Sequence, residues 1–430
     1  MADNSDIGFI VREFTEHIDS LASSALLSLT AMQGAHKAAW DKYQKFADDN
    51  CKQETVKGRQ MVEVSNEHYP RYRSLEKKVA QTKIAQRVVP ATFQVSLVSQ
   101  YDAFLGRLVS ALFRRRPELL KSSEHPLSFS QLSEFGSIEA ARDFILENEA
   151  EALLRKSYGE QFEWLEGEFG IDLHSNLPVW PAFIEVTERR NLFMHSGGIV
   201  SAQYIRVCEE EGVKFDPAPQ IGQKLGVSQE YFLAARAAVY EIGVKLAQVL
   251  WRKLFPLELA NADDSLIELT HELIVEGEYE LAKALLDFAH SAPFRHADER
   301  RRLICLVNKA QAYKWSGDME GTLEAVSKQD WSATTREYQL AEAVLLDRFE
   351  LAGRIMQRIG PTGNVSQAEY KTRPLYQYFR KTKEFLETYK EVFGEPFSKS
   401  EWIEKFESKD DETEAEQNSA SEEAAEVVAQ

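Results

Sequence analysis

Residues 93–117, "FQVSLVSQYDAFLGRLVSALFRRRP", decide the fold class, because their apolar side chains recur with the period of an α-helix. A spacing of three or four residues places such side chains on one helix face. Proline cannot continue the backbone hydrogen-bond ladder, so Pro117 ends this helix. The apolar positions of the face are Val98, Tyr101, Leu105, Leu108 and Leu112. A face of this length needs partner helices, which predicts a helical bundle.

Further amphipathic segments downstream supply the partner helices. Ser137 and Ser228 are N-cap residues for two of them, and Pro181 suits the first turn of a third. The segments are "SIEAARDFILENEAEALLRK" (137–156), "GEQFEWLEGEFG" (159–170), "WPAFIEVTERRNLFMHSGG" (180–198) and "SQEYFLAARAAVYEIGVKLAQVLWRKLF" (228–255). Strand patterns are poor almost everywhere. We therefore predict an all-α protein with a helical bundle at residues 91–255.

Helical regions flank the bundle on both sides. Residues 1–90 form an N-terminal helical region without evident chemistry, and residues 256–407 contain helical hairpins. Two hairpins share a glycine turn, at Gly277 and Gly317, and a third, degenerate copy lacks the glycine. These hairpins weakly resemble tetratricopeptide-like repeats, which stack and bind protein partners. Paired helices without repeat ancestry are the alternative.

Composition and charge exclude several classes of protein. The chain has 69 acidic and 51 basic residues, a formal charge of −18, which argues against a wholesale basic nucleic-acid scaffold but allows a local basic pocket. Residues 408–430 form an acidic tail that we expect to be disordered. No signal peptide or apolar run of about 18 residues is present, so we expect a cytoplasmic protein without membrane attachment.

Motifs for cofactors, metals and disulfides are missing from the sequence. It contains no GxxxxGK[ST], GxGxxG, HExxH or GxSxG pattern, and its three cysteines, Cys51, Cys208 and Cys305, lie far apart. We therefore expect no metal site and no cofactor.

One segment combines several groups with chemical potential: "ERRNLFMHSGG", residues 188–198. Asn191 and His195 are four residues apart, so they share a helix face at about 6 Å. Arg190 lies five residues before His195, which on a straight helix is about 140° around and about 7.5 Å along the axis. Histidine exchanges protons near neutral pH, and the planar guanidinium of arginine suits phosphate oxygens. Such groups are sufficient for RNA cleavage through the ribose 2′-hydroxyl.

The pattern Arg190, Asn191, three residues, then His195, late in a helical bundle, resembles the signature of the HEPN family. The resemblance covers residues 91–255 and implies a metal-independent endoribonuclease with RNA as substrate, Arg190, Asn191 and His195 as catalytic residues, and a site formed by a homodimer or higher oligomer. It further implies a regulated toxin or antiviral (phage-defence) effector. An acid from the first bundle helix often lies near such sites, and Asp102 is the candidate, with Glu185 and Glu188 as rivals and Arg189 as a further supporting residue.

Each of these residues also has an ordinary structural interpretation. The alternatives are a His195 in a plain helix turn before a glycine kink, and ion pairs of Arg189 and Arg190 with Glu185 or Glu188. The residues Arg114, Arg115 and Arg116 suit either a basic helix C-terminus or contact with an RNA backbone. For the whole chain, the alternatives are a non-catalytic helical scaffold and a sensor subunit whose bundle only dimerises. A protein partner or trigger is expected on the C-terminal hairpins.

Overall fold

The computed structural model describes residues 6–56, 59–118, 127–171, 173 and 177–398. The described residues divide into two compact units with the boundary between Ala262 and Asp263. The expected disordered tail at 408–430 lies outside the described residues. Helices dominate both units, which confirms the all-α prediction.

The first unit holds eight α-helices, one short 3₁₀ helix (Pro256–Glu258) and one β-hairpin among its described residues. The helices are α1 (Ile7–Asn50), α2 (Tyr69–Arg115), α3 (Phe129–Glu134), α4 (Ile138–Leu154), α5 (Tyr158–Phe169), α6 (Trp180–Ser196), α7 (Ala202–Glu210) and α8 (Gln229–Leu254). The strands are β1 (Cys51–Val56) and β2 (Arg59–Val64), an antiparallel pair in which Cys51 faces Val64. Sequence patterns missed this hairpin, because its strands are short and pair only with each other.

Helix α2 is central to this unit, and its C-terminal half follows the predicted pattern. All five predicted apolar positions are buried, and the helix ends just before Pro117. The sequence pattern predicts separate regions at residues 1–90 and 91–255, but α2 runs continuously through residue 90 and packs along α1. The two long helices therefore belong to one compact unit.

The bundle core consists of aromatic and aliphatic side chains from α1, α2, α6 and α8. The rings of Phe14 and Phe104 stack at 4.2 Å, and those of Tyr101 and Phe183 meet edge to face at 4.8 Å. A Cβ atom at Gly243 of α8 would lie 2.4 Å from the Phe14 ring, so glycine is required for this close approach. Ser137 and Ser228 cap α4 and α8 through their side chains, as predicted.

The second unit consists of paired helices. They are α9 (Leu259–Val275, which begins before the boundary), α10 (Tyr279–Ala289), α11 (Glu299–Trp315), α12 (Met319–Ser327), α13 (Arg336–Leu345), α14 (Phe349–Ile359), α15 (Gln367–Thr372) and α16 (Lys383–Phe393). Three hairpin turns share one backbone geometry, with positive φ at Gly277, Gly317 and Asp347. Asp347 thus takes the place of the glycine that the third sequence copy lacks, and Lys314 Nζ bonds its carboxylate and the nearby carbonyls of α13.

Candidate functional site

Helix α6 carries the three predicted catalytic residues and is fixed in the bundle by its buried face. Pro181 lies in the first turn of α6, as predicted. Phe183, Ile184 and Val186 are buried along its N-terminal half, and Leu192 is buried near its end. The polar residues of interest therefore project from a helix whose position is set by packing on both sides of the motif.

Arg190 lies at the meeting point of α2, α5 and α6. Its Nη2 donates to Asp102 Oδ2 at 2.7 Å and to the Tyr158 hydroxyl at 2.7 Å, while Tyr158 donates to Asp102 Oδ1 at 2.9 Å. Its Nη1 donates to Asn191 Oδ1 at 3.2 Å. These four side chains form one connected network, and we call it the Arg190 network. It holds the guanidinium in a defined orientation.

Two donor hydrogens of Arg190 remain unused. Its Nε is buried and has no hydrogen-bond partner among the described residues. Nη1 also keeps one of its two hydrogens, since its only bond goes to Asn191. The guanidinium is thus held by part of its donor set. Because Nε is buried, the second hydrogen on Nη1 is the donor left for an anion.

Asn191 links the Arg190 network to a second carboxylate. Its Nδ2 donates to Glu188 Oε1 at 3.1 Å, while its Oδ1 accepts from Arg190. Burial raises the pKa of Glu188, against the opposing effects of Asn191 and Arg190. Burial likewise raises the pKa of Asp102, against the hydrogen bond from Tyr158 and the charge of Arg190. The site therefore combines one arginine with two partly desolvated carboxyl groups.

His195 lies in the last turn of α6, exposed to solvent. Its side chain makes no hydrogen bond to any residue that the structure describes, so no such bond holds the imidazole in a structural role. The helix ends directly after it, because Gly197 and Gly198 adopt φ values of 58° and 83° and the Gly198 N–H bonds the Leu192 carbonyl at 3.0 Å. Left-handed backbone of this kind favours glycine.

The segment after the glycine pair is held in place by a loop. Leu225 N–H donates to the Gly198 carbonyl at 2.8 Å, and Val200 N–H donates to the Gln223 carbonyl at 2.9 Å. A Cβ atom at Gly198 would lie 3.0 Å from the Leu225 carbonyl oxygen. The exit from α6 is therefore closely packed, which sets where His195 stands at the helix end.

Arg189 and Glu185, named as supporting residues or rivals, belong to a different network. Glu185 Oε1 accepts from Arg189 Nε at 2.7 Å and from the Tyr204 hydroxyl at 2.6 Å, and its Oε2 accepts from Tyr231 at 2.8 Å. The Arg189 guanidinium stacks 3.8 Å above the Tyr231 ring. This network shares no hydrogen-bond partner with Arg190, so Glu185 and Arg189 serve α6 packing against α7 and α8.

A cavity of about 460 Å³ borders this second network. Its walls come from α6, α8 and the segment 213–225, and they include Glu185, Arg189 and Tyr231. Neither Arg190 nor His195 lines it. The cavity is therefore separate from the Arg190 network.

The three arginines at the end of α2 each have a partner within the chain. Arg115 pairs with Glu258 and lies 3.8 Å above the Phe255 ring. Arg116 pairs with Glu118 and donates to the Leu254 carbonyl at 2.7 Å, and Arg114 lies 3.6 Å from Asp143. These contacts anchor the end of α2 to the region after α8. Contact of the three arginines with RNA stays a prediction.

Tyr158 is the site residue that sequence reasoning missed. It follows the N-cap Ser157 at the start of α5, and its burial and Asp102 raise the pKa of its hydroxyl. Its sequence context shows a helix start but contains nothing that points to residue 102, since the two are brought together by the packing of α5 against α2.

No protein-family model matches this chain, and no curated protein or solved structure matches it either. Among the described residues, no cluster of three or more His, Cys, Asp or Glu side chains is arranged to hold a metal ion. The helices that the structure describes include none with the length and apolar character needed to cross a bilayer.

Proposed function

We propose that this protein is a metal-independent endoribonuclease of the HEPN type, with Arg190, Asn191 and His195 as its catalytic residues. The observation that carries the proposal is the orientation of Arg190 by Asp102, Tyr158 and Asn191, on the helix that ends with an exposed, unbonded His195. A guanidinium held this way, with a donor left on Nη1, is suited to a phosphate group.

The chemistry follows from these groups. His195 takes the proton of a ribose 2′-hydroxyl, whose oxygen attacks the adjacent phosphorus. The bond from phosphorus to the 5′-oxygen breaks, and this oxygen takes up a proton from an imidazolium. The products are a 2′,3′-cyclic phosphate and a 5′-hydroxyl. Arg190 stabilises the charge on the equatorial phosphorane oxygens through its positive charge and its free Nη1 hydrogen, and Asn191 keeps the guanidinium in place.

Asp102 and Tyr158 act as positioning residues in this mechanism. Both touch Arg190 and neither needs to touch RNA. Glu188 has the same role toward Asn191. Their partial burial excludes water from the back of the guanidinium, and in such surroundings a charge interaction is stronger than in bulk water.

The assembly and setting of the enzyme rest on the resemblance to the HEPN family. We propose a homodimer or higher homo-oligomer in which each chain supplies one Arg190–His195 set, acting in the cytoplasm as a regulated toxin or antiviral effector. The hairpins of the second unit offer a place for a protein partner or trigger. The rival function is a non-catalytic scaffold that uses the bundle for dimerisation.

Product analysis after RNA cleavage tests the proposal. Purified full-length protein is incubated with RNA in EDTA, and the ends are identified enzymatically. A 5′-hydroxyl end is phosphorylated by a kinase without prior phosphatase treatment, and a 2′,3′-cyclic phosphate end resists phosphatase. Cyclic phosphate and 5′-hydroxyl ends, and resistance of a substrate with 2′-deoxyribose at the scissile position, support the mechanism. Cleavage that EDTA abolishes and Mg²⁺ restores contradicts it. No RNA cleavage under any condition, including co-expression with a trigger, favours the scaffold.

A further inference from the structure

The first unit carries a two-helix extension, which we call the arm: residues 26–50 of α1, the β-hairpin and residues 69–89 of α2. Antiparallel pairing is shown by His36 Nδ1 and Thr82 Oγ1 at 2.9 Å and by the Tyr43 and Tyr72 hydroxyls at 2.9 Å. Beyond residue 25, α1 buries only Ala39 and Ala47, and the first buried residue of α2 is Pro90. A helix of 25 residues is about 37 Å long. The described side chains of the arm therefore pack mainly on each other.

The arm has the opposite charge to the rest of the chain. Residues 37–87 contain twelve Lys and Arg against seven Asp and Glu, a net charge of +5. The full chain has −18, so the remaining residues total −23. In α2, residues 69–90 hold six cations and a single acid, Glu76. Such segregation of charge predicts a polyanionic partner for the arm.

Most cations of the arm are unpaired, whereas several arginines of the bundle pair with carboxylates. In the bundle, Arg189, Arg190 and Arg115 all pair with carboxylates. On the arm, Arg73 pairs with Glu76. The following arm cations are exposed and form no ion pair with any residue that the structure describes: Lys37, Lys42, Lys45, Lys52, Arg71, Lys77, Lys78, Lys83 and Arg87. Unpaired cations lose no existing partner when they bind a phosphate backbone.

The arrangement of apolar side chains favours nucleic acid over a membrane surface. Ile84 and Val88 are 51% and 56% exposed, but on α2 they alternate with cations along one stripe, as in Lys77, Ile84 and Arg87. A membrane-binding helix instead separates a broad apolar face from its charges. On α1, Trp40 is 48% exposed and lies 5.8 Å from the Tyr43 ring, which offers a surface for base stacking.

We propose that the arm binds the phosphodiester backbone of single-stranded RNA, without sequence preference, and so holds substrate on the enzyme. The choice of RNA over DNA rests on the proposed function, whereas the binding chemistry rests on the charges of the arm. Backbone neutralisation releases counterions, so binding weakens steeply with salt. The arm adds a second contact to RNA that is separate from the Arg190 network.

The test compares two charge-matched triple variants in a His195→Ala background, which prevents cleavage. The arm variant is Lys77→Gln, Lys83→Gln and Arg87→Gln. The control variant is Arg354→Gln, Arg358→Gln and Lys390→Gln, which removes the same charge from exposed positions of the second unit. Anisotropy of a labelled single-stranded RNA gives Kd across salt concentrations. Exposed side chains without partners change the stability of the fold little, and circular dichroism verifies that both variants are folded.

We expect the arm variant to bind RNA more weakly and with a shallower salt dependence. Losing three phosphate contacts lowers the slope of log Kd against log salt by about 2, at about 0.7 for each contact on single strands. The control variant should keep the parental slope. Equal effects of both variants would mean that only net charge matters, and an unchanged arm variant would mean that the arm does not bind RNA; either overturns the proposal.

Two further ligands identify the partner. Tighter binding of duplex DNA than of RNA, or arm-dependent binding to phosphatidylserine vesicles in place of RNA, would overturn the assignment to RNA. The inference and the proposed function can be tested separately. Arm-dependent RNA binding without any cleavage by the His195 protein supports the inference and contradicts the proposed nuclease. Cleavage that depends on His195, together with RNA binding that does not change in the arm variant, supports the nuclease and contradicts the inference.

Discussion

Arg190 and Asp102 are 88 residues apart in the chain, yet Nη2 of the arginine donates to Oδ2 of the aspartate at 2.7 Å. The contact joins α6 to α2 beneath the motif that ends in His195. Tyr158 touches both partners and closes a triangle of hydrogen bonds.

Asp102→Asn should impair cleavage more than Tyr158→Phe. The first change removes the charge that holds Arg190, a bond of the kind worth about 1.5–3 kcal/mol, while the second leaves the Arg190–Asp102 ion pair in place. Both variants should lower kcat with little change in KM, because the guanidinium acts on charge that develops in the transition state. Steady-state kinetics on a short RNA measure this, and the reverse order would contradict the positioning role of Asp102.

Arg190→Lys should be nearly as inactive as Arg190→Ala. A lysine keeps the positive charge but has a single ammonium, which cannot bond Asp102, Tyr158 and Asn191 and still present donors to phosphate. Rates of the two variants under the same conditions provide the comparison. Substantial activity of the lysine variant would show that charge alone suffices and that the planar fork is not needed.

His195→Ala should reduce cleavage about 100-fold or more, the usual scale for loss of a general acid–base group. The side chain is exposed and unbonded within the described structure, so the melting temperature should stay within experimental error of the parent. Thermal unfolding monitored by circular dichroism is the control. A large fall in stability would instead make His195 a structural residue.

Gly198→Ala should destabilise the protein more than Gly197→Ala. Both glycines have positive φ, which costs a non-glycine residue about 1–2 kcal/mol. Only Gly198 also meets close neighbours, with the Leu225 carbonyl oxygen and the Phe193 ring 3.0 Å from the new Cβ, whereas nothing lies within 4 Å at Gly197. Denaturant unfolding gives the two free energies. Equal losses would mean that the loop moves aside without cost.

The Glu188→Gln variant should gain stability over the parent protein, and this gain should be larger at neutral pH than at acid pH. Burial raises the pKa of Glu188 in the folded state, so the folded protein holds this proton more tightly than the unfolded chain does. The resulting stabilisation is present below the ordinary pKa of the carboxyl and is lost as the pH rises through the raised value. Glutamine keeps the acceptor for Asn191 without this loss.

The measurement for Glu188→Gln is the difference in unfolding free energy between parent and variant, at several pH values from about 4 to about 7. The variant should gain on the parent as the pH rises. A difference that is constant with pH, or one that moves the other way, would mean that Glu188 is not desolvated.

The sequence alone determined most of the helices and several of the residues at which they begin and end. The apolar repeat of residues 98–112, the caps at Ser137 and Ser228 and the glycine pair after His195 are local features, set by residues within one or two turns, and the structure contains them all. The pairing of Asn191 with Glu188 is local in the same way, since three residues separate them on one helix. The net negative charge of the chain and the basic stretch at residues 37–87 likewise follow from the sequence.

Only the tertiary structure decided which distant groups meet. In the sequence, Asp102 is one acid among several, and nothing links Tyr158 to the motif. The packing of α2 and α5 against α6 brings both side chains to Arg190. Glu185 and Arg189 look like site residues in the sequence, yet they point into a network with Tyr204 and Tyr231. The physical reason is that helix periodicity determines the helix face on which a residue lies, whereas the packing of the whole core determines which other helix that face contacts.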